Sequence, residues 1–160
     1  MVAIMTNTLF ASDNGKLLNI GSKAPEFTLV ASNGDTVRLS DFTEKNNVVL
    51  VFYPGDETPG CTRQLCAIRN DYEKFEAKDT KVFGVNPANI DSHKKFVKSQ
   101  GYQFSLLVDE RLNTAKKYGC DGWPMLKRTV YAIDKHGKIV FAQRGMPTDD
   151  EILKAIPDGK

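Results

Sequence analysis

Two cysteines five residues apart, Cys61 and Cys66, follow a proline- and glycine-rich turn in the stretch VVLVFYPGDETPGCTRQLCAIR, Val48 to Arg69. A thiol is a weak nucleophile and a thiolate a strong one, so the chemistry turns on what would hold the sulfur ionised. Val48, Val49, Leu50, Val51, Phe52 and Tyr53 form an apolar run rich in β-branched and aromatic residues, as a strand buried on both faces requires. Pro54, Gly55, Pro59 and Gly60 stop it, and from Thr62 onward Leu65, Ile68, Tyr72 and Phe75 recur at helical spacing. Cys61 therefore falls in the first turn of a helix, where N–H groups without intrahelical partners carry about half a positive charge and favour an anion. A free cysteine titrates near ~8.5, and such a position with a nearby cation lowers that toward ~7 or below. The competing reading, a small buried hydrophobe, fits turn residues on one side less well.

Thr58 precedes the sulfur by three residues. Its hydroxyl can cap the helix or bind a substrate oxygen, and the two uses compete for one group. Cys66 is separated from Cys61 by ~500° of rotation and ~7.5 Å of rise in an ideal helix, which sets the Cα atoms roughly 8 to 9 Å apart. A disulfide needs ~4.4 to 6.8 Å. If these two residues bond, the first turns of the helix must unwind, which would couple thiol state to local unfolding. With Leu65, Ile68 and Phe75 nearby, Cys66 reads equally well as core. Cys120, in YGCDGWPM, reads as a spare thiol or an alternative partner.

The elements that must position these residues belong to a chain of 160 residues, long enough for one domain with a substantial core. Lys and Arg number 22 against 20 Asp and Glu, interspersed along the chain, which excludes a polybasic patch for nucleic acid or membrane. No apolar run reaches the ~18 residues of a membrane span. The start, MVAIMTNTLFASDNGKLLNIG, has neither a basic opening nor a continuous apolar core, so a cytoplasmic chain is expected. Three cysteines are too few for a structural disulfide framework.

Residues 1–17 read as a loose arm and 18–160 as one domain. Glu26 to Leu39 reads as a hairpin about Asn33-Gly34, and Ser40 to Lys45 as a polar turn with Phe42 packing inward. Lys81 to Val85 and Phe104 to Val108 read as further strands, separated by a helix from Asp91 to Gln100 capped by Asp91 or Ser92. The strand, helix, strand order implies parallel pairing. A helix from Glu110 to Tyr118 ends at Gly119. Thr129 to Ile133 and Lys138 to Arg144 form a terminal hairpin, and a helix from Asp149 to Ile156 stops before Pro157. The sum is a three-layer α/β/α sandwich with a mixed central sheet.

The motif YPGDETPGCTRQLC resembles the peroxiredoxins, and its TPGCT…C form is similar to the Q-type, or bacterioferritin-comigratory-protein, branch; the likeness runs from about Gly21 to Arg144. The resemblance implies a thioredoxin-like fold with an N-terminal β-hairpin. It further implies a thiol-dependent peroxidase acting on hydrogen peroxide and organic hydroperoxides, without metal or other cofactor. Cys61 would be the peroxidatic cysteine and Cys66 the resolving one, forming an intramolecular disulfide that thioredoxin or a similar dithiol reduces. Thr58 would hold the peroxide, Pro54 would shield the sulfur, and Arg128, just before the strand Thr129 to Ile133, would supply the cation through its planar fork, although by sequence alone it reads as an exposed strand-edge arginine and Lys127 and Arg63 are equally available cations. A monomer is implied.

Three positions depart from the family pattern: Gln64 replaces a usual glutamate, so an ion pair to the arginine becomes at best a neutral hydrogen bond; Asn86-Pro87-Ala88 replaces a serine-containing segment; and Gly119 to Met125 is unusual throughout. His93 and His136 stand at no ligand spacing from the cysteines and read as solvated, and the absence of CxxC argues against a thioredoxin or isomerase. Trp123 and Tyr118 read as loop anchors on the core or as a partner surface. A different class, a redox-responsive binding module switched by a Cys61 to Cys66 disulfide without turnover, shares every motif and separates from the enzyme on stoichiometry.

Overall fold

The computed structural model describes residues 15–158, Cys61 by its backbone alone. Seven strands form one mixed sheet: β1 Thr28–Ala31, β2 Thr36–Arg38, β3 Asn47–Phe52, β4 Thr80–Asn86, β5 Ser105–Val108, β6 Thr129–Ile133 and β7 Ile139–Arg144, in the order β2-β1-β5-β4-β3-β6-β7. β3, β4 and β5 run parallel and the remaining neighbours pair antiparallel. Five α-helices accompany them: α1 Pro59–Asn70, α2 Tyr72–Glu76, α3 Ile90–Gln100, α4 Asn113–Lys117 and α5 Asp149–Ala155.

β3 is the centre, and every one of its residues is buried. Its side chains alternate between two cores, as the two-residue strand period dictates. Val48, Leu50 and Phe52 face one core with Ala115, Tyr118, Cys120 and the hairpin residues Ala31 and Val37. Val49, Val51 and Tyr53 face the other, against Leu65 and Ile68 of α1, Phe75 of α2, Phe96 of α3 and Ile152 of α5. The layered α/β/α arrangement expected of a thioredoxin-like fold is therefore present, with the two-cysteine helix on the second of these faces.

Boundaries shift for identifiable reasons. The helical period from Leu65 to Phe75 is interrupted at Asp71, whose φ of −103° and ψ of 13° end α1 before α2 begins. α3 starts one residue early because Asn89, and neither Asp91 nor Ser92, is its cap: the Asn89 side chain accepts from the Ser92 N–H at 2.9 Å. α4 is shorter than the Glu110 to Tyr118 span, beginning at Asn113 after Leu112 adopts φ 59°. Phe42 packs inward on Phe83, ring centroids 5.6 Å apart.

Residues 1–14 of the expected arm lie outside the described residues. Its last part is tied down: the Leu18 N–H donates to the Tyr131 hydroxyl at 3.1 Å, and the Gly15 carbonyl accepts from Arg144. Gly119, at φ 68°, carries the close approach of this segment, since a Cβ there would stand 2.0 Å from the Lys16 carbonyl oxygen.

At the start of α5, Thr148 and Glu151 form a reciprocal capping box. Beside it Asp149 is 9% exposed, and its Oδ2 is buried without meeting hydrogen-bond geometry to any partner among the described residues. Burial first, then a side-chain hydrogen bond with Asp71 and the charges of Asp71 and Asp150, push the Asp149 carboxyl up to about 7. Because the folded value lies above the unfolded one, this residue's favourable contribution is complete below pH 4 and is lost as pH rises toward 7. Asp149→Asn is therefore expected to stabilise the protein by about 1–2 kcal/mol at pH 8 and to change little at pH 4. Urea denaturation at the two pH values checks this, and an equal effect at both would contradict it.

Candidate active site

The site is built where β3 hands over to α1. Thr58 occupies the N-cap with extended backbone (φ −83°, ψ 150°), Pro59 takes the first helical position, and Cys61 is the third residue of the helix. Proline is suited to that first position because the N–H it lacks would have no partner there. Cys61 is thus in the first turn, as the periodicity requires, although its sulfur lies outside the described residues. Pro54 is half-buried two residues after the end of β3. The Thr58 side chain makes no capping bond; its hydroxyl donates to the Gly55 carbonyl at 3.3 Å, a long bond that leaves its lone pairs open.

Arg128 reaches this place through sheet topology. β6 runs antiparallel beside β3 with Thr129 opposite Phe52, so the residue before β6 lies next to the loop after β3. Its guanidinium lies against the first turn of α1: a Cβ on Gly60 would stand 3.3 Å from Nη2. Nη1 donates to Oε1 of the buried Gln64 at 2.8 Å, and the Gln64 amide in turn approaches the Gly145 carbonyl at 3.5 Å. The neutral bond expected of glutamine at this position is the one observed. It orients the fork without cancelling its charge, so Arg128 adds a full positive charge to the partial one at the helix N-terminus.

Cys66 sits in the same unbroken helix as Cys61, so the ideal-helix separation of roughly 8 to 9 Å applies to the backbone as it stands. Its half-buried thiol donates to Gln100 Oε1 at 3.4 Å, lies 3.6 Å from the Tyr102 hydroxyl and packs on the α1 side of the sheet. Cys120 is different. It is fully buried in the core of the opposite face, donates to the Tyr118 carbonyl at 3.4 Å, and burial pushes its thiol up to about 11. A sulfur so placed stays protonated at neutral pH.

The expectation that His93 is solvated is wrong. His93 is completely buried, with Nδ1 2.7 Å from Asp56 Oδ2 and Nε2 3.0 Å from the Leu107 carbonyl. Its position three residues before Phe96, on one helical face, was the signal: Phe96 is equally buried, and residues at that spacing share a side. Asp56, inside the YPGDETPGC turn, was likewise passed over. His136 is exposed, as expected. Tyr118 is a core anchor, whereas Trp123 is 93% exposed.

Among the described residues no helix is long and apolar enough to cross a membrane. Residues 20–142 match the AhpC/TSA family. The chain is 35% identical over 149 residues to Peroxiredoxin Bcp of Bacillus subtilis (strain 168), covering 87% of this chain and 93% of that protein. It is 40% identical over 157 residues to a chloroplastic Peroxiredoxin Q of Populus jackii, covering 94% and 71%. Among solved structures, peroxidoxin BcpB from Mycobacterium tuberculosis superposes with a TM-score of 0.80 at 26% identity, over 86% of this chain and 96% of that one. A cysteine-to-serine mutant of Xylella fastidiosa PrxQ gives 0.79 at 27%, over 88% and 96%.

Proposed function

Because this chain belongs to the AhpC/TSA family, as a peroxiredoxin of the Q or Bcp kind, we propose that its thiol peroxidase activity runs through Cys61 as the attacking sulfur, with Cys66 resolving the product and a thioredoxin-type dithiol restoring both. The observation that carries the assignment is the Arg128 guanidinium lying against Gly60, one residue from Cys61, in the first turn of α1.

The Cys61 thiolate attacks the distal oxygen of a hydroperoxide. An S–O bond forms, the O–O bond breaks, and the departing oxygen carries a negative charge until it takes a proton and leaves as water or an alcohol. Arg128 stabilises that charge and the thiolate before it. The Thr58 hydroxyl, held only by a long bond to Gly55, turns to the peroxide oxygen, and Pro54 keeps bulk water from the sulfur. Hydrogen peroxide and organic hydroperoxides both offer the reacting bond.

The Cys66 thiolate then attacks the sulfur of the sulfenic acid, forming the S–S bond and breaking the S–O bond; the departing hydroxide takes a proton from solvent and leaves as water. Cys66 must leave Gln100 and Tyr102, and α1 must unwind through its first turns, before the sulfurs meet. Cys120 is a poor alternative, being protonated and on the far face of the sheet. A bond within one chain asks nothing of a second copy, and the protein is assigned as a monomer.

Turnover with thioredoxin tests this reading. Wild type and Cys120→Ser are expected to consume many peroxides per chain. Cys66→Ser is expected to lose thioredoxin-driven turnover by at least about 10²-fold while keeping its first oxidation. If the wild type stops after one peroxide per chain with thioredoxin present, the protein is a switch and not an enzyme.

A further inference from the structure

The turn between β3 and α1 is held from inside by one carboxylate. Asp56 Oδ1 accepts from the Tyr53 hydroxyl at 2.6 Å and the Asn86 amide at 3.1 Å; Oδ2 accepts from the Ser92 hydroxyl at 2.7 Å and faces His93 Nδ1 at 2.7 Å. The Asp56 side chain is 4% exposed and that of His93 not at all. Four donors saturate the four lone-pair directions of a carboxylate. They come from the end of β3, the end of β4 and the first turn of α3, so Asp56 ties the turn to three elements. Room for Tyr53 in this set comes from Gly84, where a Cβ would stand 2.9 Å from the tyrosine ring.

We infer that Asp56 and His93 form a buried carboxylate–imidazolium ion pair that positions the Cys61 turn for reaction with peroxide, a role that rests on the peroxidase reading above. Asp56 is a positioning residue: it acts through the backbone it anchors, between Pro54 and Thr58, and touches no reacting atom.

The charge on His93 follows from its partners. Nε2 faces a backbone carbonyl, which can only accept, so Nε2 carries a proton. Nδ1 faces a carboxylate oxygen that already accepts from Ser92. Burial alone raises the Asp56 carboxyl, but the bonds from His93, Tyr53 and Ser92 and the charge of His93 outweigh it and hold the group below its ordinary value. An ionised Asp56 requires a proton on Nδ1 as well. Among the described residues, the other titratable groups acting on the pair are Tyr53, by its bond, and Tyr102, from the segment before β5, through the Asp56 charge. A buried pair is costly to break, because removing one partner strands the other charge. That holds the turn between Pro54 and Thr58 in the arrangement seen here.

Single-turnover oxidation by hydrogen peroxide tests the positioning role, with alkylation by iodoacetamide as the comparison. Alkylation needs the Cys61 thiolate but not the aligned peroxide site, so the two separate position from ionisation. In Asp56→Asn, the peroxide rate constant is expected to fall about 10- to 100-fold while alkylation at pH 8 stays within about 3-fold. Ser92→Ala, which removes one of four donors, is expected to lose about 3- to 10-fold and serves where Asp56→Asn does not fold. Nitrogen-15 NMR of the wild-type imidazole is expected to show both ring nitrogens protonated in the folded protein.

A neutral His93 ring in the folded protein overturns the ion pair. A folded Asp56→Asn whose peroxide rate matches the wild type overturns the positioning role while leaving the peroxidase reading intact. A wild type that consumes no peroxide removes both.

Discussion

Cys61→Ser is expected to consume no peroxide above the uncatalysed background, whichever reductant is supplied. A serine hydroxyl stays protonated at neutral pH and cannot pass to the sulfenic acid state, so neither the attack nor the intermediate has a substitute. The other two sulfurs do not rescue it. Cys120 is buried and its thiol pushed up to about 11, and Cys66 is half-buried in the third turn of α1, bonded to Gln100 and away from Arg128's place beside Gly60. The measurement is peroxide loss under dithiothreitol, with a circular dichroism spectrum to show that the fold is kept. Activity below about 0.1% of the wild type is expected. Retention of a tenth would move the reaction to another sulfur and remove the assignment of Cys61.

Arg128→Met is expected to lower the peroxide rate constant by about 10² to 10³-fold, the scale seen when a single donor to developing negative charge is removed. Two effects contribute. Without the guanidinium the first turn of α1 loses a full positive charge that would favour a thiolate there, so less of the thiol is ionised at pH 7. The departing oxygen also loses its fork of donors. Arg128→Lys separates them, because an ammonium restores a charge without the planar pair of N–H groups. It is expected to recover part of the alkylation rate and little of the peroxide rate. If Arg128→Met reacts with peroxide as fast as the wild type, the cation is supplied elsewhere and the geometry at Gly60 is incidental.

Gln64 has a related consequence. A glutamate there would pair with the guanidinium and neutralise it at short range, whereas the amide holds Nη1 at 2.8 Å and leaves the charge whole. Orientation and charge are thus supplied by different means. The Gln64 side chain is buried, so the bond is made out of competition with water.

The unbroken apolar run from Val48 to Tyr53 was sufficient to place a strand with two buried faces, because alternation can only be absent when neither side meets water. Proline and glycine after it were sufficient to put Cys61 in the first turn of a helix, since those residues end a strand and open a helix for local steric reasons. The Asn33-Gly34 hairpin is local in the same sense. The TPGCT…C motif carried the family for the same reason: its residues are contiguous.

What escaped is what folding brings together from a distance. Arg128 was found through a resemblance, and among Lys127, Arg63 and Arg128 nothing in their own spacing selects one. The pairing of Thr129 with Phe52 selects it, and that pairing is a property of the sheet. The His93 side chain, thirty-seven residues from Asp56, looked like one more polar group in a lysine-rich helix. Its burial depends on α3 lying over β5, where the Asp56 carboxylate and the Leu107 carbonyl meet it from two sides. Chain chemistry by itself determined which sulfur begins a helix and what that helix end does to an anion. Only the tertiary structure decided which cation stands there and which buried charge holds the turn, because hydrogen bonds between distant segments exist only once the sheet has set their separation.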